Sequence, residues 1–109
     1  MSEVVVVATL VAKPGSEDEV GAILASAIPE VHQEDGCILY SLHRGAEDPT
    51  TFVFVERWAS ADHLQTHANS PALRDALPKL EPLLTTPPTI IPLVPVGAGD
   101  PAKGTLAGA

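Results

Sequence analysis

The residues best suited to chemistry lie in one stretch of the chain, where alternating aromatic and acidic side chains are followed by two histidines. Phe54, Glu56 and Trp58 occupy every second position, and His63 and His67 follow them, four residues apart. Histidine is the side chain that most readily exchanges a proton near neutral pH, and aromatic residues line pockets for small apolar ligands. The stretch is therefore a candidate wall of a small-molecule pocket, with the histidines as candidate polar groups in it.

The two histidines by themselves do not predict a metal site. Residues four apart on a helix can supply half of one, but a catalytic zinc usually needs a third protein ligand. The metalloprotease motif also requires a glutamate directly after its first histidine, where this chain has Leu64. We expect no metal, and a solvated helix residue is the alternative for each histidine. His67 is favoured as functional because it lies nearer the helix break at Asn69-Ser70-Pro71.

The neighbouring side chains have structural explanations that compete with functional ones. Trp58, the only tryptophan, and Tyr40 fit core or interface positions as well as the wall of a pocket. A carboxylate at Glu56, between two aromatic residues of one strand face, is costly unless it is paired or hydrogen-bonded. We assign the candidate roles as catalytic for His67 and Trp58, and substrate-binding for Tyr40, Phe54, Glu56 and His63.

Three strands are predicted to position these residues. Val4 to Ala12 is rich in Val and Thr and ends at Lys13-Pro14-Gly15, which stops a strand. Cys37 to Arg44 and Thr51 to Trp58 are β-rich and flank a turn at Glu47-Asp48-Pro49, so they predict a hairpin. Both faces of the third strand are mostly apolar, which indicates that both are covered.

The first helix is predicted to follow Gly15. Ser16 and Glu19 have the spacing of a capping box, and apolar residues recur at three- and four-residue steps as far as Val31. Pro29 is expected to kink or loosen the last turns, and the helix should end before Asp35-Gly36.

The second half of the chain predicts a broken helical segment and a last strand. Ser60 can cap a helix that runs to about Ala68, and Ser70-Pro71 can start another. Thr85 to Val96 has strand character, but its prolines confine it to a sheet edge or an arm. The domain is therefore expected to span residues 1–96, with a mobile Gly-, Ala- and Pro-rich tail at 97–109.

This order of elements predicts an α+β fold, a ferredoxin-like sandwich with its helices on one face of the sheet. The chain has 109 residues and a net charge of −8, which is the wrong sign for binding nucleic acid or an anionic membrane. The single Cys37 requires no oxidising compartment, and prolines or charges interrupt every candidate membrane span. We expect a soluble cytoplasmic protein. Glycine-rich nucleotide motifs and a nucleophile elbow are absent from the sequence.

Three motifs occur in order along the chain: Glu34-Asp35-Gly36-Cys37-x-x-Tyr40, Phe54-x-Glu56-x-Trp58-x-Ser60 and His63-Leu-x-x-His67-x-x-Ser70-Pro71. Together they resemble the antibiotic biosynthesis monooxygenase family, including its small quinol monooxygenases, from the first strand to about Val94. The resemblance implies a homodimer, in which the open sheet faces of two copies pack together as a dimeric α+β barrel.

The resemblance also implies an activity, the oxygenation of a quinol or polyphenol by molecular oxygen without a cofactor. The substrate would supply the electrons, while the protein supplies a dry pocket and a base. Family members that degrade haem carry an asparagine on the first strand and a histidine on the last helix; the matching positions here are Val7 and Leu77, so haem is not expected. The alternative function is a non-catalytic dimeric module that binds a small aromatic molecule.

Overall fold

The computed structural model describes residues 3–106 of the chain. Within these residues the elements alternate in the predicted order. They are β1 (Val4–Val11), α1 (Glu17–His32), β2 (Cys37–Arg44), β3 (Thr51–Trp58), α2 (Ala61–Ala68), α3 (Pro71–Leu80), a 3-10 turn (Glu81–Leu83) and β4 (Thr89–Leu93).

The strands form one antiparallel sheet in the order β2-β3-β1-β4. This is the ferredoxin-like α+β arrangement that the sequence predicts, and the prediction is confirmed. The last strand lies at the edge beside β1 and is shorter than the predicted span of 85–96. A proline has no N–H to donate to a sheet ladder, which explains why Pro92 is tolerated at an edge.

The helices cover one face of the sheet. The register sets Val6, Ala8 and Leu10 of β1 opposite Glu56, Phe54 and Phe52 of β3, so these side chains share the covered face. Helix residues close the core above them, and the buried ones include Val20, Leu24, Val31, Ala76 and Leu80. The result is an apolar layer into which β3 inserts a single carboxylate.

Within residues 3–106 no helix packs on the other face of the sheet, and we call it the open face. Its positions on β1 and β3 are occupied mainly by valines, and on β4 by Ile91 and Leu93, which are 48% and 41% exposed. Arg57 also lies on this face and donates two hydrogen bonds to the carboxylate of Glu3, so its charge is paired. An apolar sheet face is therefore left half-covered in the single chain.

The helix ends agree with the sequence in part. Ser60 and Ser70 cap α2 and α3 as predicted, with each hydroxyl accepting a backbone N–H from three residues on. The capping box at Ser16 is a wrong prediction: its side chain makes no capping bond, because its backbone (φ −106°, ψ 2°) is not in the extended conformation of a typical N-cap. The carboxylate of Glu17 accepts from the N–H of Gly15 instead, at 2.7 Å.

The first helix continues through Pro29 to His32. Pro29 is exposed, and it has no N–H to donate to the carbonyl one turn earlier. The helix ends before Asp35-Gly36, as predicted.

In the tail, the N–H groups of Lys103 and Ala102 donate to the backbone and side-chain oxygens of Asp100, which forms a turn. Residues 107–109 of the predicted tail lie outside the described residues, and the mobility of the tail stays a prediction. Between residues 3 and 106, no helix has the length and apolar character needed to cross a membrane. Location in the cytoplasm also stays a prediction.

Candidate active site

Two adjoining hollows lie between the covered sheet face and the helices α2 and α3. The inner cavity measures about 150 Å³ and reaches down to Phe54 and Tyr40. The outer recess measures about 540 Å³ and opens beside the edge strand β4. Five residues line both hollows: Glu56, His67, Ala68, Leu73 and Ile90. The combined space suits a small, largely apolar ligand.

The ionisable groups of these walls are few. Tyr40, Glu56 and His67 line the inner cavity, and no lysine or arginine occurs among the described residues around either hollow. A carboxylate or phosphate on a ligand would therefore find no cation to pair with, and burying such a charge unpaired is costly. The walls favour an uncharged ligand with hydroxyl groups.

His67 is held from two sides. The end of α2 carries its side chain into the core, where it is 5% exposed. Its Nδ1 lies 2.9 Å from Oε1 of Glu34, in the loop between α1 and β2. Its ring stacks on Trp58 with the centroids 4.4 Å apart and an interplanar angle of 29°. These two contacts hold the ring in place, and His67 lines both hollows with Nδ1 already engaged by Glu34.

Trp58 stands behind His67 and outside the wall of both hollows. It is fully buried, and its indole N–H donates to Oε1 of Glu56 at 2.9 Å. Because the two residues are two positions apart on β3, the strand itself brings the indole and the carboxylate to one face. Trp58 therefore contacts two residues that line the hollows, Glu56 and His67, without lining either hollow itself, and its catalytic role stays a prediction.

Glu56 is the carboxylate that the sequence marks as costly, and its environment agrees. It is 4% exposed, and burial raises its pKa above the usual range of a glutamate. The hydrogen bond from Trp58 and the charge of His67 act in the opposite direction, and the nearby charge of Glu34 adds to the increase. Glu56 is thus a partly compensated buried acid that faces the ligand space.

Tyr40 and Phe54 form the aromatic floor of the inner cavity. Their rings stack at 4.5 Å, and the Tyr40 ring meets His67 edge-on at 5.3 Å. Burial and the charge of Glu56 raise the pKa of Tyr40, so its phenol keeps its proton over the physiological range. Tyr40 can offer an aromatic face or a hydroxyl donor, but not a base.

His63 has a different environment from His67. Its Nδ1 lies 2.7 Å from the hydroxyl of Ser60, and its ring packs on Gly36, outside the walls of both hollows. Gly36 has a φ of +80°, and a Cβ added there would fall 2.2 Å from Cγ of His63. This contact packs the loop before β2 against α2. The structure therefore brings five of the six predicted site residues together and leaves His63 outside as a packing residue.

Sequence reasoning missed the role of Glu34 and the walls formed by Leu73, Ala68 and Ile90. Glu34 was recognised only as the first residue of a motif, and nothing in the local pattern pairs it with a histidine 33 residues away. The sequence predicts Leu73 on the apolar side of a helix and Ile90 in a strand, and neither pattern distinguishes a core residue from the wall of a cavity.

Among residues 3–106, no group of three or more His, Cys, Asp and Glu side chains is arranged to hold a metal ion. Leu77, matched to the haem-ligand position, lines the inner cavity. Val7, matched to the asparagine position, lies on the open face, so its identity does not bear on what the cavity binds. The absence of metal and haem stays a prediction.

The structure is thus an α+β domain of ferredoxin-like topology whose covered sheet face holds a small, largely apolar chamber with a buried acid and a buried histidine. The sequence profile of the antibiotic biosynthesis monooxygenase family matches residues 3–79, which include Tyr40, Phe54, Glu56, Trp58 and His67. The chain belongs to that family.

Individual relatives agree with this assignment. One relative is Rv0793 of Mycobacterium tuberculosis, which carries the provisional name of a monooxygenase. The two sequences are 32% identical over 95 residues, and the match covers 87% of this chain and 93% of Rv0793. Its solved structure superposes with a TM-score of 0.82 at 29% identity and covers 91% of this chain and 100% of that one. A Methanosarcina mazei Go1 protein gives a TM-score of 0.80 at 28% identity, covering 86% of this chain and 93% of that one.

Proposed function

We propose that this protein is a cofactor-independent monooxygenase that oxygenates a quinol or polyphenol with molecular oxygen. The observation that carries the proposal is the buried His67, held by Glu34 and facing an apolar chamber without lysine or arginine among its described wall residues. Such a chamber accepts an uncharged phenol and gives its hydroxyl a proton acceptor. Family membership supports the monooxygenase class.

The proposed first step is proton transfer from a phenolic hydroxyl to Nε2 of His67. The ring of the substrate would rest on Tyr40 and Phe54, since offset aromatic contacts are favourable at the stacking distances found there. Removing the proton makes the ring electron-rich enough to reduce oxygen. An apolar wall keeps water away from the reacting atoms.

The overall reaction balances without another reductant. A quinol, C₆H₆O₂ in its simplest form, and O₂ give a hydroxyquinone, C₆H₄O₃, and water. One oxygen atom forms a new bond to ring carbon, and the other leaves as water with two hydrogens from the substrate. The substrate is oxidised and oxygen is reduced, so the protein needs only to bind, orient and exchange protons.

The proposal is tested with the purified protein and a panel of uncharged hydroquinones in an oxygen electrode. Labelled ¹⁸O₂ and mass spectrometry should place one labelled atom in the quinone product. Added catalase should return no oxygen, because hydrogen peroxide is not a product. Peroxide release with unlabelled quinone would contradict the proposal, since that is simple oxidation of the hydroquinone.

The fluorescence of Trp58 gives a separate measure of binding. It is the only tryptophan, and its ring stacks on the histidine that faces the ligand. Saturable quenching by hydroquinones without oxygen uptake would favour the alternative, a non-catalytic binding module.

We also propose that the protein is a homodimer formed through the open face. Val53 and Val55 of β3 and Ile91 and Leu93 of β4 present an apolar surface there, and the only arginine on β3 is paired with Glu3. Packing two such faces would bury this surface as a sheet-on-sheet core. Light scattering should give about twice the chain mass of 11.3 kDa, and a monomer at micromolar concentration would contradict this proposal.

A further inference from the structure

The pairing of Glu34 with His67 assigns a role to a residue outside the predicted site. We propose that Glu34 is a positioning residue that keeps His67 in the tautomer with its proton on Nδ1, so that the lone pair of Nε2 faces the cavity. This inference rests on the proposed function, because it explains how the proposed base is prepared.

The first step is the contact itself. Nδ1 of His67 lies 2.9 Å from Oε1 of Glu34, and a carboxylate can only accept a hydrogen bond. Nδ1 must therefore be the donor, which in a neutral imidazole leaves Nε2 without a proton. A histidine in the opposite tautomer would present an N–H to the substrate and could not take its proton.

The second step is that Glu34 is itself fixed. Its N–H donates to the carbonyl of Val31 at 3.0 Å, and its carbonyl accepts from Cys37 at 3.2 Å. The turn continues at Gly36, whose missing side chain lets His63 of α2 pack directly against the loop. Helix α2 thus contacts the loop at His63 and at His67, and the distance between carboxylate and imidazole is set by both contacts.

The third step concerns the second oxygen of the carboxylate. Oε2 of Glu34 is buried and has no hydrogen-bond partner within the described part of the chain. An unpartnered buried oxygen costs stability. A neutral amide of the same shape could accept the same hydrogen bond from His67 without a buried charge, but it could equally donate one. The carboxylate is explained if its inability to donate is what the site requires.

Glu34→Gln tests this role, because the amide has the same shape but can either accept from Nδ1–H through its oxygen or donate an N–H to Nδ1. The variant should therefore no longer hold His67 in a single tautomer, and molecules with the proton on Nε2 should appear. Long-range ¹H–¹⁵N NMR of the free protein distinguishes the two tautomers by the shifts of the ring nitrogens, at a pH where the imidazole is neutral. We expect a proton on Nδ1 in the wild type and a mixture of both tautomers in Glu34→Gln, with the melting temperature unchanged or higher.

In the same variant, kcat for oxygen uptake with hydroquinone should fall about tenfold or more while KM stays within about twofold, since the pocket keeps its shape. The matched control is Glu30→Gln, an exposed glutamate at the end of α1, which should alter neither the tautomer nor kcat.

A wild-type His67 with its proton on Nε2 overturns the inference even if the variant does not fold. A Glu34→Gln protein in which His67 stays in the wild-type tautomer alone, or a mixture of tautomers with unchanged kcat, also overturns it. If neither protein oxygenates hydroquinone, the proposed function fails, while the NMR result still decides whether Glu34 sets the tautomer.

Discussion

The two faces of the sheet are built from the same strands and differ in what covers them. On β3, Phe54, Glu56 and Trp58 point toward the helices and are almost inaccessible, whereas Val53 and Val55 point to the open face and are half-buried. The covered face contains the buried acid and the aromatic rings. The open face is apolar along β1, β3 and β4 at Val7, Val55 and Ile91, and its β2 margin carries Ser41 and His43, which hydrogen-bond to each other. Polar groups are therefore tolerated where a partner fixes them, and the face without a partner in the chain has an apolar surface suited to a second copy.

The largest expected effect tests the covered face. His67→Ala should lower turnover on the order of 100-fold, because general-base assistance is typically worth at least that much. His63→Ala should lower it no more than about threefold, since that ring packs on Gly36 outside the chamber. Oxygen uptake measured from pH 5.5 to 9, with circular dichroism as the folding control, gives both values. Equal and near wild-type rates would remove His67 from the mechanism.

The next effect tests the open face. Val55→Glu should weaken dimerisation about tenfold or more, because the carboxylate would be buried without a partner between two sheets. Ala25→Glu, an exposed site on α1, is the matched control and should leave the dimer intact. Sedimentation equilibrium measures both dissociation constants. A Val55→Glu protein that dimerises like the wild type would place the interface elsewhere.

A smaller effect should come from the mouth of the chamber. Ala68 lines both hollows at the end of α2, so Ala68→Phe should narrow the passage between them and raise KM about fivefold, with a smaller change in kcat. Ala25→Phe, on the far side of α1, controls for added apolar surface. Steady-state kinetics that show the same KM for both variants would mean that the substrate enters by another route.

The smallest effect concerns the buried acid. Burial raises the pKa of Glu56, so the folded protein holds this proton more tightly than the unfolded chain does. The protonated Glu56 therefore makes its full contribution to the free energy of unfolding below the pKa that the residue has in the unfolded chain. That contribution is lost as the pH rises through the higher pKa of the folded protein. Glu56→Gln keeps an oxygen for the indole N–H of Trp58 and cannot ionise. Its melting temperature should therefore exceed that of the wild type by a few degrees at pH 8, with almost no difference at pH 4.

Thermal unfolding followed by circular dichroism at both pH values provides the measurement for Glu56→Gln. The exposed Glu30→Gln should match the wild type throughout. If the melting temperature of Glu56→Gln exceeded that of the wild type by more at low pH than at high pH, the pKa of Glu56 could not be raised in the folded protein.

The sequence alone determined the elements and the faces of the strands. The alternation of Phe54, Glu56 and Trp58 places them together because the side-chain period of a strand is fixed by its backbone. The prolines near Pro92 assign the last strand to an edge, since they lack the N–H that an inner strand must donate. These are local properties, and a neighbour in space is not needed to infer them.

Only the tertiary structure decided which of the two histidines faces the chamber and what holds it. His63 and His67 are four residues apart and belong to one helix, so their spacing gives them the same periodic position. The loop at Gly36, with its left-handed backbone, meets the helix at His63, and Glu34 reaches His67 from across 33 residues. Contacts of that kind depend on how a loop and a helix pack together in three dimensions, which no local pattern of residues encodes.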